Sequence, residues 1–197
     1  MSGIRSLTRR PVQQGFATAS SAPIRVDDTT GQVSIINAGS GTTEVALLGA
    51  YKPNAAITAA THTPAQKDSG LTLAYSALAG IVVTLPAATG TGNRYRYLRT
   101  VSATSVGDVF KVANATDFMR GVVDGVATDD GLLTSFATLN TGVVATESDT
   151  VTWNFTTTGL CLAGDWIEFV DAMATIWLVS SFYTDTGAEA TPFSAAQ

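Results

Sequence analysis

Val151, Trp153 and Phe155 alternate with Thr152, Asn154 and Thr156, and this period of two restricts the fold more than any other feature of the chain. Successive side chains of a strand point to opposite faces, so such a run buries one face and wets the other. The pattern recurs. Leu71, Leu73 and Tyr75 share one face, and Ile81, Val83 and Leu85 share another until Pro86 stops the ladder. Residues 94–101 and 109–113 read as further strands. Thirty threonines and eighteen glycines favour strands and tight turns, and helix-building runs of Ala, Glu, Lys and Leu are missing. The expected fold is mainly β. Short strands at this spacing predict a β-sandwich or jelly-roll-like domain preceded by an extended N-terminal arm.

That arm is marked by charge. Residues 1–26 carry Arg5, Arg9, Arg10 and Arg25 and no acid, whereas the other 171 residues carry sixteen acids against seven Lys and Arg, a balance of −9. The arm shows no sustained periodicity and, fully extended, spans at most about 85–95 Å. Its Arg- and Ser-rich, acid-free composition is also that of a transit peptide, although Pro11 interrupts an amphipathic helix. A strand-rich connecting segment follows over 27–54; Ile24 and Val26 lead into it through Asp27-Asp28-Thr29-Thr30-Gly31, and Val33 and Ile35 complete a hairpin-like unit. Lys52-Pro53-Asn54 marks a turn and a boundary. The β-domain is assigned to 55–183 and an exposed tail to 184–197. Within the domain, 165–171 and 176–183 form the strongest hairpin candidate, with Ile167 and Phe169 facing one way and Trp166, Glu168 and Val170 the other. The Gly-punctuated stretch 118–144 reads as strands or as a short helix around 132–139.

Chemistry-bearing residues are sparse. His62 is the only histidine, in the loop-like Thr61-His62-Thr63-Pro64, and no Gly-x-Ser-x-Gly accompanies it. With one His and one Cys a zinc site is not expected, and Cys161, between Leu160 and Leu162, reads as a buried thiol. Asp124, Asp129 and Asp130 surround Gly125 and Gly131; oxygen-rich turns bind calcium, but the spacing departs from an EF-hand loop and turn geometry explains these residues. Asp165, Glu168 and Asp171 do not form a glycosidase pair, because Glu168 points away from the other two. Thr89-Gly90-Thr91-Gly92 lacks the Gly-Lys-Ser/Thr of a phosphate loop and reads as a hairpin turn. The expectation is no catalytic residue, no cofactor and no metal. No apolar run reaches the roughly 18 residues of a membrane helix, so a membrane partner is not expected.

One stretch reads as a binding surface. In Arg94-Tyr95-Arg96-Tyr97-Leu98-Arg99, Arg94 and Arg96 share one strand face, and Tyr95, Tyr97 and Arg99 share the other. Bases alternating with aromatics bind single-stranded nucleic acid, and Tyr and Arg are also enriched at protein interfaces. The acidic body favours a subunit interface or core strand, and nucleic acid is not the expected partner.

Three segments carry a resemblance. They are Gly80-Ile81-Val82-Val83-Thr84-Leu85-Pro86-Ala87-Ala88-Thr89-Gly90; Val109-Phe110-Lys111-Val112-Ala113-Asn114-Ala115-Thr116-Asp117; and Gly164-Asp165-Trp166-Ile167-Glu168-Phe169-Val170-Asp171 with Trp177-Leu178-Val179. Their order over residues 65–180 resembles small virion structural proteins of tailed bacteriophages, of the head-decoration (cement) kind. The resemblance implies a β-rich, commonly homotrimeric domain without catalytic residues, seated on the outer capsid surface of the virion and bridging copies of the major capsid protein. On that reading the arm, through Arg5, Arg9, Arg10 and Arg25, docks on the capsid. A tail-fibre, neck or glycan-binding virion module is the alternative, with the loops around 124–131 as the contact.

Overall fold

The computed structural model describes residues 24–26, 33–35, 55–105, 107–128, 131–154, 161–185 and 190–195. The chain divides into two compact units, 1–52 and 53–197. In the first, β1 (Ile24–Val26) pairs antiparallel with β2 (Val33–Ile35), Ile24 opposite Ile35, as the hairpin pattern predicts. Arg25 lies opposite Ser34 in this pair, so the last three residues assigned to the arm belong to a strand. Arg5, Arg9 and Arg10 lie outside the described residues.

The second unit contains β3 (Ala55–Ile57), β4 (Thr61–His62), β5 (Thr72–Tyr75), β6 (Val82–Thr84), β7 (Arg94–Arg99), β8 (Asp108–Lys111), β9 (Phe118–Ala127), β10 (Leu133–Ala137), β11 (Thr150–Trp153), β12 (Trp166–Met173), β13 (Ile176–Asp185) and β14 (Phe193–Ser194). These form two sheets, ordered β10-β9-β13-β12-β7-β5-β3 and β14-β11-β8-β6-β4. From β3 to β8 the chain alternates between the sheets, each strand lying parallel to the one two before it. Ala55 pairs with Leu73 and Leu73 with Tyr97, so successive coils differ in length and leave no fixed period in the sequence. Beyond β8 antiparallel pairing predominates: β9 with β10, β8 with β11, and β12 with both β7 and β13. The molecule is mainly β and a sandwich. Its parallel pairs distinguish it from a jelly roll, which is antiparallel throughout.

Alternation places the core between the sheets. Leu73, Tyr75, Tyr95, Tyr97, Ile167, Phe169, Trp177 and Tyr183 from the larger sheet meet Val83, Phe110, Val151 and Trp153 from the smaller, all buried. The Tyr97 and Phe110 rings lie 5.5 Å apart, Phe110 and Phe169 5.6 Å, and Trp153 and Tyr183 5.5 Å, all within the range of favourable aromatic pairing. The stretch 118–144 is a strand pair, β9 with β10, and not a helix. The expected tail needs correction as well. β13 continues to Asp185, and β14 adds an edge strand to β11 that buries Phe193. A single apolar residue after Pro192 has no periodicity to announce it.

Candidate functional site

Several charged side chains are buried in the interior, and two clusters of them are held by internal hydrogen bonds. Arg99 and Asp108 form an ion pair with no exposed surface on either side chain, Nη2 to Oδ1 at 2.5 Å and Nε to Oδ2 at 3.0 Å. Asp108 also accepts the Tyr75 hydroxyl (2.6 Å) and the Ile81 amide (3.0 Å), while Arg99 Nη1 donates to the Ala77 and Val101 carbonyls. Burial and the neighbouring Asp108 carboxylate push the Tyr75 phenol well above its usual range, so it stays a donor. A paired, fully hydrogen-bonded buried charge is tolerated where an isolated one is not.

The loop Thr89-Gly90-Thr91-Gly92 is not a hairpin turn. It crosses from β6 in one sheet to β7 in the other, and its donors do hold an anion: the chain's own Asp171. The amides of Thr89, Gly90 and Thr91 donate to that carboxylate at 2.9, 2.7 and 3.1 Å, and the hydroxyls of Thr89 and Thr91 add bonds of 3.2 and 2.6 Å. Burial alone raises an acid's pKa, but these donors outweigh it and hold Asp171 below the usual carboxylate range. A depressed folded pKa means the stabilisation is present above the unfolded value of about 3.9 and is lost as pH falls through the folded one. Asp171→Asn, which turns one acceptor into a donor facing other donors, is expected to cost about 2 kcal/mol at pH 7. The gap between the two proteins should narrow progressively as pH falls below about 4. Urea midpoints measured from pH 3 to 7 check this, and a gap independent of pH would contradict it. Asp165 acts in the opposite sense, because burial pushes it up to about 6 against donors from Leu162 and Thr184. Its contribution falls as pH rises, but it is common to both proteins and cancels.

The remaining residues weighed for chemistry are dispersed. His62 sits at the sandwich edge with its Nδ1 2.9 Å from the Tyr97 hydroxyl, and burial lowers its pKa. Cys161 is buried, donates to the Trp153 carbonyl at 3.2 Å, and has its thiol pushed up to about 12 by burial. Asp124 is exposed and accepts from Ser135 at 2.7 Å; Asp129 and Asp130 lie outside the described residues. Among the described residues no group of three or more His, Cys, Asp or Glu is placed to hold a metal ion, and no helix is long and apolar enough to cross a membrane.

What remains open is the outer face of the larger sheet. Register sets Leu98, Trp166, Phe182 and Asp124 in one row, and Arg96, Glu168, Ser180 and Val122 in the next. Arg94, Val170, Leu178 and Arg120 form the third. Phe182 is 43% exposed and Leu178 47%, and Leu133 on the edge strand β10 is 75% exposed. The smaller sheet's outer face presents Thr61, Val82, Thr84, Val109, Lys111 and Thr152, an ordinary solvated mixture. The five residues proposed from sequence as an interface divide between the two sides of β7. Tyr95, Tyr97 and Arg99 are buried in the core and have no surface to offer a partner, because the face they share is the inner one. Arg94 and Arg96 stand on the outer face beside a groove of about 260 Å³ lined also by Leu71 and Glu168. Arg94 pairs with Glu168 at 2.6 Å, and the Arg96 guanidinium stacks 4.2 Å above the Trp166 ring. The alternation in 165–171 puts Trp166 on the face opposite Ile167 and Phe169, and the structure shows that face to be the outer one.

No protein-family model matches this chain, and no curated protein sequence is significantly similar to it.

Proposed function

We propose that this chain is a virion structural protein of the tailed-phage head-decoration kind. It binds the outer capsid surface, bridges copies of the major capsid protein through non-covalent contacts and stabilises the shell. The basic segment 1–26 anchors it, chiefly through Arg5, Arg9 and Arg10, while the β-body associates with itself as a homotrimer. One observation carries the reading. Among the described residues the buried charges of Arg99, Asp108 and Asp171 are taken up in internal hydrogen bonds, while a sheet face carrying aromatic, aliphatic and charged side chains keeps exposed surface. Such a distribution favours holding a partner over turning over a substrate.

The glycan-binding alternative draws on the tryptophans. Trp153 and Trp177 are fully buried, and Trp166, which keeps some exposure, carries the Arg96 guanidinium over one ring face. The decoration reading is tested by co-sedimentation with empty capsids of the cognate major capsid protein. Deleting residues 1–26 should abolish binding while leaving the melting of the β-body unchanged. Unchanged occupancy of the truncated protein would remove the arm as anchor, and no binding by the full chain would remove the capsid.

A further inference from the structure

The outer face of the larger sheet carries its two kinds of charge on opposite flanks. Arg94 and Arg96 lie on β7, Asp124 lies on β9, and Trp166, Val170, Leu178 and Phe182 occupy β12 and β13 between them. Arg120 and Glu168, the other charges of this face, are already neutralised, by Glu147 at 2.7 Å and by Arg94. Arg96 is different. Among the described residues its guanidinium makes no hydrogen bond or ion pair, only the stacking contact with Trp166. Asp124 keeps an exposed carboxylate with one oxygen on the Ser135 hydroxyl. Three strand spacings, about 14 Å, separate β7 from β9, so the two charges cannot meet within one molecule. Each is the other's complement only across a boundary between molecules.

We infer that this face is a self-association surface, in which the Arg96–Trp166 flank of one copy packs against the Asp124–Leu133 flank of another. The contact is heterologous unless both pairs of flanks meet at once about a twofold axis. Repetition of it closes a ring when the rotation between copies permits. Phe182 and Leu178 are covered by the same contact, which removes from water the apolar surface that sets this face apart from the smaller sheet's. Trp166 lies between Leu98 and Phe182, and an Arg stacked on such an aromatic is of the kind found at interface centres, with the guanidinium pre-oriented for a carboxylate. The inference rests on the self-association within the function proposed above and not on the capsid. Oligomer mass decides the one, and co-sedimentation decides the other.

Charge exchange in the full-length chain is the test, with mass measured by sedimentation velocity across a concentration series. Arg96→Asp sets two acids against each other and is expected to weaken association at least about tenfold, and Asp124→Arg to do the same with two bases. The double variant Arg96→Asp/Asp124→Arg restores the pair in exchanged order and should return to within about threefold of the original affinity. Both positions are on the outer face, and unchanged thermal melting of the dissociated single variants at high dilution shows that the fold is kept. Leu178→Asp gives an independent reading and should also dissociate the protein. Three results would each overturn the inference: a wild-type chain that is monomeric throughout the series, single variants that associate like wild type, or a double variant no better than either single. If the single variants keep their mass but lose capsid binding, the face belongs to the capsid and the inference is again overturned.

Discussion

Asp108→Ala is expected to lower the free energy of unfolding by about 4 kcal/mol. The loss does not measure the worth of the Arg99–Asp108 pair. It measures what the truncation leaves behind: a buried guanidinium with no counter-charge and only the Ala77 and Val101 carbonyls as acceptors, and a buried phenol and the Ile81 amide without the carboxylate they bond to. Typical domains have only about 5–15 kcal/mol in total. Replacing both ends with apolar groups, Asp108→Ala with Arg99→Leu, should recover part of the deficit, because no uncompensated charge then remains. Urea unfolding followed by tryptophan fluorescence reports all three proteins. An unchanged midpoint for Asp108→Ala would refute the account, and so would a double variant as unstable as the sum of two independent losses.

Gly121→Ala is expected to destabilise by a similar amount, about 4 kcal/mol, for an unrelated reason. Gly121 lies in β9 opposite Val179 of β13 with a φ of +141°, and an added Cβ would fall on the Val179 carbonyl oxygen. The new atom meets backbone, which cannot rotate away as a side chain would. The two central strands must therefore part. Gly142→Ala provides the comparison. Its φ is +74° but nothing lies within 4 Å of the added Cβ, so only the backbone term of about 1 kcal/mol applies. Thermal melts of the two variants should separate clearly, and equal losses would mean that conformation, not the approach of the strands, governs Gly121.

The two variants mark what could be read in advance. Each strand's existence and its two faces were legible wherever apolar residues alternated: Leu73 with Tyr75, Val151 with Trp153, and Ile167 with Phe169 are all buried as their spacing requires. Division of the Arg94–Arg99 strand into an outer pair and an inner trio was legible for the same reason. Partnership was not. Nothing in the spacing pairs Arg99 with Asp108 or aims the Thr89–Thr91 amides at Asp171, which is some eighty residues further along the chain. In sequence, a short Gly- and Thr-rich loop looks the same whether it reverses the chain or carries it to a second sheet.

By itself, then, the sequence determined the class of structure, the inward and outward side of each strand and the separation of a basic segment from an acidic body. These are local properties, set by side-chain alternation and composition. Only the tertiary structure decided that β3 to β8 wind between two sheets, that Asp171 fills the anion-binding loop and that Arg96, Trp166 and Asp124 share one open face. Each of these depends on strand order and register between distant segments, and a period of two specifies which way a side chain points while saying nothing of which strand will lie beside it.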